Sequence, residues 1–192
     1  MDLTRPTTPV ADAAAALADE ACPAFLLAHS HRTFHYGMLV VDHREVDAEA
    51  AFVASMLHDL GLTDAHRDDR GFDEIGADLA CRFLEDRGWE PDRIRLVEQA
   101  ILLHTRLEPT EAPEHRVVQA GAALDVAGIP PEVLASDGAR QVLEEFPRLD
   151  FSTAMRDVFL EEVGRQPGGS FAELERSVNL SAVIANHPLD AS

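Results

Sequence analysis

The chain has 192 residues, and 16 Lys+Arg against 35 Asp+Glu give a formal net charge of −19 with histidine neutral. All of the basic residues are arginine, which excludes a P-loop and lysine Schiff-base chemistry, since both need a lysine. So strong a negative charge also opposes binding to nucleic acid or to an anionic membrane surface.

Helical spacing of apolar residues runs through almost the whole sequence and predicts an all-α protein. Residues 1–8 are polar and proline-rich, and we expect them to form a flexible arm. Since no repeat, low-complexity linker or charge block marks a boundary, residues 9–192 are expected to form a single domain. The predicted helices cover residues 9–21, 24–42, 47–60, 74–87, 91–105, 114–127, 131–145, 152–165 and 170–185.

Several residue types mark the ends of these helices. Asp47 and Ser152 have side chains typical of helix N-caps. Pro91 suits the first turn of a helix, where its missing N–H costs nothing. Gly128 and Gly164 fall where helices are expected to stop.

The first helix is amphipathic and rich in alanine over residues 10–21. It therefore either packs on the core or joins copies of the chain in a homo-oligomer. No apolar run approaches the roughly 18 residues of a membrane helix, and the N-terminus has no signal pattern. We expect a cytoplasmic protein that acts on a small molecule, without nucleic acid or a membrane. The last third of the chain carries no predicted role.

Five side chains of the metal-ligand type close the apolar faces of four predicted helices. Asp125, for example, follows Val118, Gly121 and Ala122 at helical spacing. A single buried histidine is more often a hydrogen-bonded core residue, but buried carboxylates need partners, and five such groups need a common one. A divalent metal would satisfy them together, since it binds neutral imidazoles and carboxylates. The five residues are His29, His58, Asp59, His104 and Asp125.

The order of these residues resembles the HD-domain superfamily of metal-dependent phosphohydrolases. His29, then His58-Asp59, then Asp125 follow the pattern H…HD…D of that superfamily. The segment HSHRTFHYG at residues 29–37 is similar to the first-ligand segment of the cyanamide hydratase-like branch. The alignment places the first ligand at the first histidine of this segment and not at the third residue, which is also histidine.

Three further segments carry the resemblance, which spans roughly residues 25–130. AILLHT at 100–105 and LDVAG at 124–128 match segments of the cyanamide hydratase-like branch. FDEIGA at 72–77 is a looser counterpart of FEVDGA, because Ile75 stands at its acidic position. This departure bears on substrate preference. The resemblance implies a single HD-domain helical bundle with a metal site in its core.

The resemblance also implies a ligand set and a reaction. One divalent metal would be held by His29, His58, Asp59 and Asp125, with zinc as the first choice and iron or manganese as alternatives for mixed nitrogen and oxygen ligands. Two carboxylates would cancel the two charges of the ion. Water on the metal would then act as hydroxide near neutral pH.

Other residues near these motifs are candidates for catalysis. When hydroxide attacks a nitrile carbon, the charge that develops on nitrogen needs a proton and an electrostatic partner. His104 is predicted to fill this role or to orient the substrate, with a structural hydrogen bond as the alternative. Thr105 is predicted to steady His104. Arg32 is predicted to clamp the substrate, with an ion pair to a nearby acid as the alternative.

Four functions fit the residues. The favoured one is a metal-dependent hydratase or hydrolase of a small neutral molecule with a cyanamide-like, nitrile-like or other C–N group. An HD-type phosphohydrolase would need cations near the metal, where the sequence offers Arg32 and Arg106. A dinuclear iron oxygenase would need two further histidines, from His66, His104 and His115. A non-catalytic HD scaffold is the fourth.

Overall fold

The computed structural model of the chain describes residues 4–190. Within that range it consists of helices and connecting segments without a β-strand, and the predicted all-α class is confirmed. Short 3-10 helices lie at His43–Glu45, Leu60–Leu62 and Pro188–Asp190. The α-helices are α1 Pro9–Ala21, α2 Ala24–Val40, α3 Ala48–Leu57, α4 Phe72–Glu85, α5 Pro91–Leu103, α6 Pro113–Ala127, α7 Pro131–Leu134, α8 Asp137–Glu145, α9 Phe151–Arg165, α10 Ser170–Val178 and α11 Leu180–Ala185.

Local chemistry sets several of the predicted helix ends. The Asp47 carboxylate accepts a hydrogen bond of 3.1 Å from the backbone N–H of Ala50, so the predicted N-cap of α3 is confirmed. Pro91 is the first residue of α5, as predicted. Gly128 ends α6 in the left-handed conformation, with a φ of 70°, which glycine adopts without strain.

Other predicted boundaries are wrong. Ser152 does not cap α9, because the helix begins one residue earlier and the Ser152 hydroxyl accepts a hydrogen bond from Arg148 instead. Gly164 lies inside α9, which continues for one more residue. The predicted helix 131–145 is two helices, since Ser136 caps α8. Asn179, with a φ of 52°, likewise divides the predicted helix 170–185.

Helix α3 lies at the centre of the bundle. All its residues from Ala50 to Leu57 are buried, and it contacts α1, α2, α4, α5 and α6. The alanine face of α1 packs here, with Ala11, Ala14 and Ala18 fully buried in the main core cluster. The structure thus shows the core-packing use of this helix, while a homo-oligomer stays a prediction.

Helices α2 and α6 pack closely because each presents a glycine at the crossing. A Cβ atom on Gly37 would lie 2.0 Å from the carbonyl oxygen of Val117, and one on Gly121 would lie 1.8 Å from that of Thr33. No side chain larger than hydrogen fits at either position without movement of the backbone. This contact sets the distance between the first and last predicted metal-ligand segments.

Helices α9, α10 and α11 form a second apolar cluster beside α2 and α6. Its core includes Phe151, Met155, Phe159, Phe171 and Ile184. Among the helices of residues 4–190, none combines the length and apolar character needed to cross a bilayer.

The sequence predicts a flexible arm over residues 1–8 and a single domain over residues 9–192. The predicted flexible arm lies in part outside the described residues, and its described portion, 4–8, is non-helical chain that leads to the α1 N-cap Thr8. The single domain over 9–192 stays a prediction.

Candidate metal centre

The HD dipeptide lies on a turn rather than within a helix. The prediction of a helix through residue 60 is wrong, because α3 ends at Leu57 and a 3-10 helix follows from Leu60. His58 occupies the C-cap position, and its Nδ1 lies 2.7 Å from the carbonyl oxygen of Ser55. This contact makes Nδ1 the donor and leaves Nε2 free to face the core. The break in the helix therefore allows both His58 and Asp59 to point inward.

Three of the four predicted ligands meet in the core: His29, His58 and Asp59, which we call the ligand triad. One ligand atom from each lies within 4.8 Å of the others, and all three residues are buried. The two Nε2 atoms of His29 and His58 are 3.3 Å apart. The Asp59 Oδ2 atom lies 3.5 Å from the first and 3.3 Å from the second.

A divalent metal fits the triad. Within the described chain, Asp59 Oδ1 is buried and accepts no hydrogen bond, which is costly for a carboxylate oxygen without a cation. Burial raises the pKa of Asp59, and a bound cation would restore its charged form. Two imidazole nitrogens and a carboxylate oxygen within 4.8 Å of one another are a donor set typical of zinc, iron and manganese sites.

His58 and His104 are held in the neutral form that metal ligation requires. Burial, reinforced by the proximity of His29, lowers the pKa of His58 to about 3. Burial and then His58 lower the pKa of His104 to about 4. Both side chains are therefore neutral near pH 7 and offer a lone pair on one ring nitrogen.

The fourth predicted ligand, Asp125, lies behind His29. Its Oδ2 accepts a hydrogen bond of 2.7 Å from His29 Nδ1, so His29 turns its Nε2 toward the other triad members. Arg32 donates to both carboxylate oxygens at 2.7 and 2.8 Å, and Arg148 donates to Oδ1 at 3.0 Å. A carboxylate behind a metal-binding histidine fixes its tautomer and raises its basicity. Asp125 as a direct ligand stays a prediction.

The surroundings of Asp125 change the expected charge of the site. Burial alone would raise the pKa of Asp125, but the charge of Arg32 and the hydrogen bond from His29 hold it well below its usual range. Both arginines, Arg32 and Arg148, neutralise this carboxylate. The two carboxylates therefore do not fully cancel the two positive charges of a bound metal, because Asp125 already has two cationic partners.

Arg32 lies in the core and not on the cavity wall. Its side chain is fully buried, and its remaining donor Nη1 binds the carbonyl oxygens of Phe146 and Pro147 at 3.2 and 2.9 Å. This arrangement is the ion pair that was the alternative to substrate clamping. Arg32 thereby ties α2 and α6 to the segment before α9.

Arg148 and Phe151 are site residues that sequence reasoning missed. Arg148 is buried and also donates to the Asp125 backbone carbonyl at 2.8 Å. The ring of Phe151 stacks on His29 at 5.0 Å between centroids. The guanidinium groups of Arg32 and Arg148 lie 5.1 and 4.9 Å from the same ring. The sequence held no signal for this, because both residues come from a segment remote from the motifs.

His104 stands at the edge of the triad. It is the C-cap of α5, and its Nδ1 lies 2.5 Å from the carbonyl oxygen of Ile101. Its Nε2 points toward Asp59 Oδ1, at 3.9 Å, which is too far for a direct hydrogen bond. Its ring meets the His58 ring edge-on at 4.9 Å. The next residue, Thr105, lines a cavity that adjoins the ligand triad.

Comparison with known proteins identifies the family. The family model described as HD domain matches residues 26–145, more than half of the chain. The chain belongs to the HD domain family. It is also similar to cyanamide hydratase DDI2 and cyanamide hydratase DDI3 of Saccharomyces cerevisiae. Each is 26% identical over 158 residues, which are 78% of this chain and 70% of the relative.

These findings confirm the predicted family and the predicted similarity to its cyanamide hydratase-like branch. HD domains bind divalent metals, and the ligand triad can hold one. All residues proposed above as ligands, and also His104, Thr105 and Arg32, lie within the matched segment. Helices α9–α11 lie outside it.

The HD-domain site opens into a cavity of about 750 Å³. The three triad residues and His104 form its polar end. Helices α9–α11, for which no role was predicted, supply an apolar wall that includes Met155, Phe159, Phe171, Leu180 and Ile184. Periodicity predicted these helices but not the function of their apolar faces, because a core face and a cavity face have the same composition.

Proposed function

We propose that the protein is a metal-dependent hydratase or hydrolase that adds water to a small neutral molecule with a cyanamide-like, nitrile-like or other C–N group. The observation that carries the proposal is the buried ligand triad, whose unpartnered Asp59 oxygen lies at the polar end of a largely apolar cavity. Similarity to the two yeast cyanamide hydratases supports this substrate class.

The triad residues would hold the metal, with zinc as the first choice and iron or manganese as alternatives. A divalent metal at this position would lower the pKa of bound water toward neutrality and so supply a nucleophile. Ser55 and Asp125 orient the two histidines through their Nδ1 atoms. Arg32 and Arg148 in turn fix Asp125.

His104 is the group that we propose handles a proton. Its neutral imidazole directs Nε2 toward the triad and lines the cavity, with its tautomer set by the Ile101 carbonyl. With Nδ1 as the donor to that carbonyl, Nε2 is left as an acceptor that can take a proton from water and return it to a substrate nitrogen. Thr105 borders the same space and is the adjacent hydroxyl.

The charges near the triad favour a neutral substrate over a phosphate ester. Arg32 and Arg148 are both committed to Asp125. The other cavity cations, Arg106 and Arg116, are exposed residues. Recognition of a phosphate normally uses cationic donors close to the reacting group. The support is therefore weaker for a phosphohydrolase.

An iron oxygenase and a non-catalytic scaffold have less support. Among the described residues, His66 and His115 lie outside the group that could hold a metal. A scaffold has no need for a carboxylate oxygen buried without a partner. That the protein acts in the cytoplasm, apart from nucleic acid and membranes, stays a prediction.

The experiment measures water addition by the metal-loaded protein. Cyanamide is supplied and urea is quantified, alongside a panel of nitriles and a panel of phosphate esters and nucleotides. We expect turnover of cyanamide or a nitrile, its loss in His58→Ala, and its retention in the matched variant His66→Ala. Phosphate-ester turnover without C–N turnover would contradict the proposal and favour the phosphohydrolase.

A further inference from the structure

Large exposed hydrophobic residues gather at the mouth of the cavity. Six large hydrophobic residues are exposed within residues 4–190, and four of them line this one cavity. Scattered exposed hydrophobic residues are ordinary, but their convergence on a single opening is not. We call these four the mouth residues: Val40, Leu107, Ile129 and Val178.

The apolar character continues from the mouth to the triad. One side is lined by α6, with Ala123, Val126 and Ala127 facing the space. The opposite side is formed by α9–α11, including Phe159 and Phe171. Polar and charged groups lie at the triad end and at the exposed rim. Between these two ends, a molecule in the cavity would contact mainly apolar side chains.

The size of the cavity exceeds what the smallest C–N substrates need. Cavities of about 300–1,000 Å³ typically enclose ligands of drug size, and this one has about 750 Å³. Cyanamide would fill a small part of it and leave the apolar wall in contact with water. Leaving that much apolar surface wetted forgoes the main source of binding free energy for a neutral ligand.

From this we infer that the substrate carries a C–N group at the triad end and an uncharged apolar body, on the scale of about ten carbon atoms, in the chamber between α6 and α9–α11. This inference rests on the proposed function, which supplies the reacting group, and it adds the substrate class. The apolar body of the bound substrate would contact Phe159 and Phe171, and its far end would extend to the mouth residues.

The test measures binding rather than turnover. Straight-chain hydroxamates from acetohydroxamate to octanohydroxamate place a metal-binding head at the triad and vary only the tail. Their dissociation constants for the zinc-loaded protein are measured by calorimetry. Since burial of one methylene contributes about 0.8 kcal/mol, we expect Kd to fall about two- to fourfold with each carbon. Equal Kd values along the series would overturn the inference.

A second comparison changes the end of the tail. Suberic acid monohydroxamate has the chain length of octanohydroxamate but ends in a carboxylate. We expect it to bind at least about tenfold more weakly, because the chamber would have to desolvate that charge. Equal binding of the two would show that the tail stays in water, and it would also overturn the inference.

Two matched pairs of variants locate the tail of the bound hydroxamate. Leu107→Asp places a charge at the mouth, whereas Leu160→Asp places one at an exposed hydrophobic residue that does not line the cavity. Ala123→Leu narrows the chamber, and Ala185→Leu adds the same atoms at an exposed position on α11. We expect the first variant of each pair to raise the Kd of octanohydroxamate about fivefold or more and to leave the Kd of acetohydroxamate unchanged. Equal effects within each pair would contradict the placement.

This test separates the substrate class from the reaction. A steep chain-length dependence without cyanamide or nitrile turnover would support the apolar chamber and reject the proposed reaction. Turnover of cyanamide with a flat hydroxamate series would support the reaction and reject the chamber. If both hold, kcat/KM should rise from acetonitrile to octanenitrile in parallel with the hydroxamate affinities.

Discussion

Asp125 on α6 accepts the Nδ1 hydrogen of His29 on α2, at 2.7 Å, between the two helices that pack through Gly37 and Gly121. The same carboxylate binds Arg32 and Arg148. It therefore connects the ligand triad to α2, α6 and the segment before α9. Geometry at the metal centre thus depends on the packing of these three parts.

The crossing of α2 and α6 gives the first prediction. Gly121→Ala would place a methyl group 1.8 Å from the Thr33 carbonyl oxygen, so the helices must separate. We expect a loss of about 1–3 kcal/mol in unfolding free energy, as for overpacked cores, together with reduced metal content. Urea unfolding and elemental mass spectrometry measure the two effects.

The matched control for this substitution lies on α9. A Cβ on Gly164 would have no atom within 4 Å, so Gly164→Ala should be neutral or stabilising by up to about 1 kcal/mol. Equal destabilisation by both substitutions would show that the crossing tolerates a larger residue.

The buried ion pair gives the second prediction. Arg32→Met removes a guanidinium that is fully buried against Asp125. Breaking a buried pair typically costs about 3–5 kcal/mol when the other charge loses its partner. Asp125 keeps Arg148 as a partner, so we expect a cost of up to that size. The urea midpoint should fall accordingly. In the exposed Arg44–Asp42 pair, Arg44→Met should leave the midpoint nearly unchanged. Similar midpoints for both variants would contradict the role of Arg32.

The third prediction concerns acid stability of the metal-free protein. Burial, reinforced by the neighbouring His31, lowers the pKa of His35 to about 4, against an ordinary 6.5. The unfolded chain therefore binds more protons between those values, and stability falls as pH falls from 6.5 toward 4.

His58 and His104, with pKa values lowered to about 3 and about 4, act in the same direction. Urea unfolding at several pH values measures the slope. We expect His35→Gln to reduce it by up to about 1.4 kcal/mol per pH unit. A stability that is level between pH 4.5 and 6.5 would contradict this prediction.

The fourth prediction concerns the segment after His104. The Gln119 side chain donates to the carbonyl oxygens of Arg106 and Glu108 at 2.7 and 2.8 Å, and it accepts from the Thr110 N–H at 3.2 Å. Gln119→Leu removes these hydrogen bonds and should loosen one wall of the cavity mouth. With each bond contributing about 1 kcal/mol, we expect KM to rise about five- to tenfold with metal content unchanged. Faster hydrogen exchange at residues 105–110 should accompany it.

The sequence was sufficient to predict most of the helices but not the long-range contacts between them. Helical spacing identified His29, Asp59 and Asp125 as inward-facing, because a side chain's neighbours at three and four positions share its face. It could not reveal Arg148, which is 23 residues beyond Asp125 and reaches it only through the packing of α9.

The helix break at His58 was missed for a related reason. The apolar spacing of α3 continues past Leu57, so periodicity predicts more helix, whereas the Ser55 carbonyl and the following 3-10 turn redirect the chain. The apolar cavity wall could not be predicted from the sequence either, because a residue such as Phe171 suits a closed core as well as a binding chamber.

The metal centre is tested most directly by the metal content per chain of the wild type, His58→Ala and His66→Ala. Elemental mass spectrometry measures it after purification and loading with metal. We predict about one divalent ion per wild-type chain, with loss in His58→Ala and retention in His66→Ala. Absence of metal from the folded wild type, or equal metal in all three proteins, would contradict a metal centre at the ligand triad.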